Sequence, residues 1–261
     1  MNLGSLRRIA QVVSFFLSNL GVNLALKTGN IYPFLYCYGC PLACSACPIG
    51  TLQNFVNIGI CPLYLIGMLG LYGTIFGRAF CGWACPFGAF QDLLAVLSRK
   101  KRKLQPFTYS KFAMLALVIG FAWLALYSRL PVLETFFCKF CPAGSLFAAL
   151  PAPFFYPQWE WGFFFNVHII TLILTILLVL LFSRFWCRYL CPLGTIGVFN
   201  RLSIVTISLD STKCANCLKC LDICPMGLKN VGDIGVSSDC ILCGRCVDVC
   251  PTDALEIHVR R

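Results

Sequence analysis

Four apolar stretches divide the chain, at about 9–26, 58–76, 112–130 and 163–183. Each approaches the roughly 20 residues that a helix needs to cross the hydrocarbon core of a bilayer. The third and fourth are the most continuously apolar. Gln11, Ser14, Ser18, Asn19 and Asn23 interrupt the first, which predicts a helix whose polar side faces the bundle. Arg7 and Arg8 precede it as they would a signal peptide, but no small-residue cleavage site follows, so a retained helix is expected.

Basic residues gather at the ends of these stretches. Arg7 and Arg8 precede the first. Arg78 and the run Arg99, Lys100, Lys101, Arg102, Lys103 lie between the second and third, and Arg184, Arg188 and Arg201 follow the fourth. The opposite loops hold Lys27, Arg129 and Lys139. The positive-inside rule then predicts a multi-pass protein of the cytoplasmic membrane with both termini in the cytoplasm. The net charge of +11 follows the same distribution, which argues against nucleic acid as a partner. A composition 59% apolar and 12% charged, against about 45–50% and 25% in soluble domains, makes the lipid bilayer the expected solvent.

The chain also repeats itself. Its first half reads helix, CSACPIG (44–50), helix, RAFCGWACPFG (78–88); its second reads helix, CKFCPAG (138–144), helix, RFWCRYLCPLG (184–194). Each half thus carries an outer CxxCPxG and an inner RxxCxxxCPxG. Two halves of about 1–105 and 106–204, related by a pseudo-two-fold axis along the membrane normal, are expected, with sites between them.

Nineteen cysteines fall mostly in such tight clusters, a pattern that suits metal thiolates better than the disulfides of small secreted domains. CANCLKCLDICP (214–225) and CILCGRCVDVCP (240–251) both have the spacing C-x2-C-x2-C-x3-C-P. In such runs three thiolates hold one cubane and the fourth cysteine reaches the other. Cys214, Cys217, Cys220 and Cys250 are therefore assigned to one [4Fe–4S] cluster, and Cys240, Cys243, Cys246 and Cys224 to a second. A zinc ribbon would not need two four-cysteine runs each closed by proline. The inner pairs Cys81/Cys85 and Cys187/Cys191 have i,i+4 spacing, which puts both sulfurs on one helical face. Pro86 and Pro192 then end the helix and Gly88 and Gly194 permit a turn. Two pairs meeting across the repeat axis supply four ligands, enough for an additional iron–sulfur cluster; the competing reading is four buried, inert thiols.

With its two inner motifs, four apolar stretches and a C-terminal two-cluster module, the chain resembles the NapH/NosR-type membrane ferredoxins. The resemblance covers nearly the whole chain and carries over to Cys81, Cys85, Cys187, Cys191 and the eight ferredoxin cysteines. That family includes the quinol dehydrogenase membrane component of periplasmic nitrate reduction and proteins of methylamine and nitrous oxide respiration. The resemblance implies electron exchange between the quinone pool or a cytoplasmic donor and a partner across the membrane.

The outer cysteines depart from the simplest form of that pattern. By symmetry Cys44, Cys47, Cys138 and Cys141 supply a further cluster near the external face; pairing as disulfides in an oxidising exterior is the alternative. Cys37, Cys40 and Cys61 have no assigned partner, and metal ligation by them stays open. His168, in the fourth stretch, is a candidate quinone contact together with Glu160, set against a satisfied interior histidine. There is no CxxCH for covalent haem and no nucleotide-binding glycine loop in a strand–helix context.

The expected architecture is an α-helical membrane domain of four transmembrane helices over 1–204, followed by a small α+β two-cluster ferredoxin domain over 205–261. The expected function is an electron-transfer subunit of a redox complex, with cytoplasmic and extracytoplasmic redox subunits as partners. Two rivals are a quinol dehydrogenase with its own quinone site and a membrane cupric reductase or oxidase-assembly protein.

Overall fold

The computed structural model of the protein describes residues 3–20, 28–40, 42–97, 109–128, 130–155 and 162–260. Lys27, the basic run 99–103, Arg129 and Glu160 lie outside the described residues, as does the end of the first apolar stretch. The chain is mostly helical.

Two helices, Ser110–Ser128 and Phe163–Leu181, are long and apolar enough to cross a membrane. Nineteen residues at about 1.5 Å each give roughly 28 Å, close to the hydrocarbon thickness. Only 22% of each apolar window is buried within the protein, so most of both surfaces needs an apolar surrounding. The second stretch is shorter than its sequence pattern. Its helix is Leu63–Phe76, because Pro62 starts it and Gly77, at φ +55°, stops it. The first stretch forms the helix Leu3–Ser18, and its polar side faces inward: Gln11 donates to the Gly82 carbonyl (3.0 Å) and Ser14 to that of Ala84 (2.7 Å).

Four of the arginines read as orientation signals have inward roles. Arg78 and Arg184 are 1% and 0% exposed, and Arg7 and Arg188 are also buried. They brace the interior as well as adding charge. Arg184 binds Asp92 through two hydrogen bonds (2.9 and 2.5 Å), and Arg7 reaches the same carboxylate at 2.8 Å. Around them Phe34, Leu35, Phe87, Val118, Phe137, Trp186 and Leu193 form one core drawn from both halves of the chain.

The C-terminal region is built on a two-stranded antiparallel sheet, Val205–Leu209 against Leu255–Val259, in register Val205 to Val259. The cysteine runs between them bend in the same way twice. Asn216 and Leu242, and two residues later Leu218 and Gly244, all have left-handed backbones. Leu218 and Gly244 each start a single helical turn, Lys219–Asp222 and Arg245–Asp248. Only one of these four positions is glycine, so three residues carry the steric cost of that conformation.

This region docks against the helical part through buried polar contacts. Trp83 donates its indole N–H to the Leu242 carbonyl (2.9 Å), and Asn200 donates to those of Ser237 (2.7 Å) and Cys240 (2.8 Å). Lys111, buried at the start of its helix, binds Asp239 at 2.7 Å. Asp92 takes a third arginine from this side, Arg245 at 3.4 Å.

Candidate metal centres

The cysteines gather into four places. Cys214, Cys217, Cys220 and Cys250 line one cavity of about 350 Å³, with no other cysteine in its wall. Cys224, Cys240, Cys243 and Cys246 form a second group in which Cys246 is within electrostatic range of the other three. Backbone amides aim at sulfurs in both: Ala254 N–H at Cys250 Sγ (3.3 Å) and Gly235 N–H at Cys240 Sγ (3.4 Å). Soft thiolate donors with N–H groups directed at them suit an iron–sulfur cluster, whose potential such bonds adjust. Burial pushes the Cys240 thiol up to about 11.

The inner motifs meet. Cys81, Cys85, Cys187 and Cys191 are all buried, and Cys191 lies within electrostatic range of the other three. The two motifs share an unusual backbone turn: the N–H of Cys85 bonds the Phe80 carbonyl at 2.8 Å, and that of Cys191 bonds Trp186 at 2.9 Å. Both are i→i−5 bonds, the π-type widening common at functional sites. Each second cysteine is therefore displaced from a regular i,i+4 turn. The cause is local, because residues before proline avoid the helical region; Cys191 sits at φ −75°, ψ 110°.

Donors also point at these sulfurs. Gly88 N–H lies 3.3 Å from Cys85 Sγ, and Gln91 Nε2 lies 3.0 Å from Cys187 Sγ. The residues fit a cluster. The second ferredoxin group shares a buried cluster with one of them: Cys81 belongs with Cys243, Ile241 and Met226, and Cys224 packs against that cluster.

The outer cysteines are arranged differently from the symmetric expectation. Cys47, Cys138 and Cys141 line an open cavity of about 1120 Å³, but the fourth cysteine in its wall is Cys37. Cys44 turns away, its Sγ 3.0 Å from the Leu17 carbonyl. Cys40 is buried beneath the Tyr36 hydroxyl at 3.7 Å, and Cys61 is exposed. His168 pairs with Ser145 (Nδ1 to Oγ, 3.0 Å). Among the described residues, no three Cys, His, Asp or Glu side chains stand close enough to share a single ion. That applies to the ferredoxin groups too, whose expected guest is larger than one ion and spreads its ligands further apart.

Asp92, Gln91, Lys111, Asn200 and Trp83 escaped the sequence reading. One signal for Asp92 was available, since it is the first acidic residue in the chain.

A 4Fe-4S binding domain family matches residues 44–59, 60–105 and 165–203, and another 4Fe-4S binding domain matches 236–256. An uncharacterised protein of Methanocaldococcus jannaschii is 31% identical over 167 residues, 59% of this chain and 54% of its own. The chain thus spans about half of that relative. The ferredoxin-type protein NapH of Haemophilus influenzae is 27% identical over 227 residues, covering 84% of this chain and 73% of NapH. The regulatory protein NosR of Pseudomonas aeruginosa is 35% identical over 133 residues, 46% of this chain and 16% of NosR. No solved structure matches the chain.

Proposed function

Since this chain belongs to the NapH/NosR-type ferredoxin family, we propose that it is a membrane electron-transfer subunit, relaying electrons through cysteine-held iron–sulfur sites within a larger redox complex. Two [4Fe–4S] clusters belong to the ferredoxin cysteines in the crossed pattern, with Cys250 serving the first group and Cys224 the second. A third site is shared by Cys81, Cys85, Cys187 and Cys191. Clusters bound there supply one-electron transfer without acid–base chemistry from the protein.

The carrying observation is that Cys81 and Cys243 belong to one buried cluster of side chains, with Cys224 packed against it. That shared cluster supports reading the inner motif and the second ferredoxin group as neighbours in one electron path. The chain's own residues hold that junction. Trp83 and Asn200 fix the ferredoxin loop, and the Arg78 and Arg184 guanidiniums offset the negative charge of buried thiolates. Gly88 and Gln91 bond the sulfurs.

We read the helical region, 1–204, as two halves of about 1–105 and 106–204 that meet at this third site. The matching i→i−5 turns at Cys85 and Cys191 support that reading. Four membrane crossings with both termini in the cytoplasm, and the module 205–261 on that side, complete it. Partners are redox subunits on one or both faces of the membrane.

The test is iron and acid-labile sulfide per chain on anaerobically purified protein, with EPR during stepwise reduction. Iron above about eight atoms that disappears in the Cys81→Ala/Cys187→Ala double variant supports the third site. An unchanged iron content in that variant refutes it.

A second reading adds a quinone. His168 stands beside the outer cavity, its Cε1 3.7 Å from where a side chain on Gly144 would begin. Loss of quinol oxidation in His168→Ala, with iron content intact, supports this reading, and unchanged oxidation refutes it.

A further inference from the structure

We infer that Cys37, Cys47, Cys138 and Cys141 together bind a [4Fe–4S] cluster, with Cys37 in place of Cys44 as the fourth ligand. The inference deepens the electron-transfer reading and rests on it. It adds a site in the same buried core that holds Cys85 and Cys191, to which Cys141 also belongs.

Selection among the seven outer cysteines comes from geometry. The wall of the outer cavity contains these four and omits Cys40, Cys44 and Cys61. Cys138 lies within electrostatic range of Cys47 and Cys37, and Cys141 within range of all three. Cys44 has spent its thiol on the Leu17 carbonyl. The four therefore come from three separate segments, a set that repeat symmetry alone does not select. Cys37 has no counterpart in the CxxC of the second half.

The site is built like the inner one. In CPIG (47–50) and CPAG (141–144) the glycine three residues after the cysteine turns its backbone N–H toward that sulfur. The same relation joins Gly88 to Cys85 at 3.3 Å in the inner CPFG. Cys47 and Cys141 also share one backbone conformation, φ −74°, ψ 126° and φ −78°, ψ 116°, close to that of Cys191.

Glycines clear the space between the sulfurs. A Cβ on Gly39 would stand 3.5 Å from Cys37 Sγ, and one on Gly50 would stand 3.6 Å from Cys138 Sγ. Gly39, Gly50 and Gly144 all line the cavity, so a side chain at any of them would take room from the guest.

The donor set then chooses the guest. Among the described residues, no His, Asp or Glu lines the cavity, which favours metals with a taste for thiolate. Among the described residues no three of these sulfurs stand at single-ion spacing, unlike a tetrahedral zinc site with bonds of about 2.3 Å. Four thiols, with glycine N–H groups on the Cys47 and Cys141 sulfurs, fit a cubane. The cavity is wider than the ferredoxin cavity of about 350 Å³ and opens to solvent. That leaves an approach for a redox partner.

The experiment uses the full-length chain, purified anaerobically, with iron, acid-labile sulfide and zinc counted per chain. The Cys37→Ala/Cys138→Ala double variant is expected to lose about four irons and four sulfides. Cys44→Ala and Cys61→Ala are expected to lose none. The EPR signals of the ferredoxin clusters serve as the folding control in every variant.

Full iron in the double variant overturns the proposal. So does iron loss in Cys44→Ala equal to that in the double variant, or stoichiometric zinc that the double variant releases. The inner site fails separately, through unchanged iron in the Cys81→Ala/Cys187→Ala protein, so the two results are distinguishable.

Discussion

Arg78 and Arg184, equivalent residues of the two inner motifs, each cross to the other's backbone. Arg78 Nη2 donates to the Cys187 carbonyl at 2.6 Å, and Arg184 Nη1 donates to the Cys81 carbonyl at 2.7 Å. Each motif therefore has the carbonyl of its first cysteine bonded by the arginine of the other. The exchange also explains the glycines that close the motifs. A Cβ on Gly194 would lie 2.6 Å from Arg78 Nη2, and one on Gly88 2.8 Å from the Cys81 carbonyl oxygen. The further partners of the arginines differ. Arg184 binds Asp92, whereas Arg78 turns to the Ser238 carbonyl (2.9 Å) in the ferredoxin region.

Asp92→Asn should destabilise the helical region by about 3–5 kcal/mol, because it leaves buried arginines without their anion. Burial by itself raises the Asp92 carboxyl, but Arg184, then Arg7 and Arg245, override it and hold it well below its ordinary 3.8. A depressed folded value means that its stabilising share is complete above 3.8 and lost as the pH falls further. Thermal unfolding in detergent should show the wild type losing stability in that acid range and Asp92→Asn losing less. Identical pH profiles for the two proteins would remove Asp92 from this role.

Gly82→Ala should loosen the docked module even though alanine favours a helix. A Cβ there would lie 2.5 Å from the Ile241 carbonyl oxygen and 3.4 Å from the Cys243 Cα. The backbone has nowhere to yield, and overpacking of this kind costs about 1–3 kcal/mol. Limited proteolysis should release the C-terminal region faster than in the wild type. Gly70→Ala is the control, since nothing lies within 4 Å of its added methyl. Equal cleavage rates in all three proteins would mean that Gly82 does not set the fit.

Much of this was legible in the sequence, and the rest was hidden for identifiable reasons. The spacing of the two runs predicts crossed ferredoxin groups, and one cavity wall gathers Cys250 with Cys214, Cys217 and Cys220. Periodicity also revealed the polar side of the first helix, where Gln11 and Ser14 now bond backbone carbonyls. Apolar length misled at 58–76, where Pro62 trims the helix to fourteen residues. Charge at helix ends looked like a topology signal, yet Arg78 and Arg184 are the most deeply buried cations of the inner motifs. Spacing does not reveal that Cys37 rather than Cys44 lines the outer cavity, because the loop holding both is shaped by long-range contacts. One is the bond from the Cys44 N–H to the Ser18 carbonyl at 3.2 Å.

Cys250→Ala and Cys224→Ala should remove different clusters, each with about four irons. Cys250 lines the cavity with Cys214, Cys217 and Cys220, while Cys224 is in range of Cys240, Cys243 and Cys246. Because Cys243 of the second group shares a buried cluster with Cys81, Cys224→Ala should also abolish magnetic interaction with the inner site. Cys250→Ala should leave that interaction in place. EPR on reduced samples distinguishes the two, and matching spectra would contradict the crossed assignment.

Gln91→Leu should lower the reduction potential of the inner site without changing iron content. Gln91 is fully buried and donates to Cys187 Sγ at 3.0 Å. A reduced cluster carries one more negative charge than an oxidised one, so a donor on its sulfur stabilises the reduced form more. Removing the donor then makes reduction harder. A hydrogen bond worth about 1 kcal/mol corresponds to roughly 40 mV for one electron, taking about 59 mV per tenfold change. The potential should therefore fall by tens of millivolts in an EPR-monitored titration. The orphaned Oε1 of Gln91 makes leucine a mild replacement for the fold, since no partner of that oxygen is left behind. A fall in iron content alongside the potential would instead mean that Gln91 supports assembly of the site.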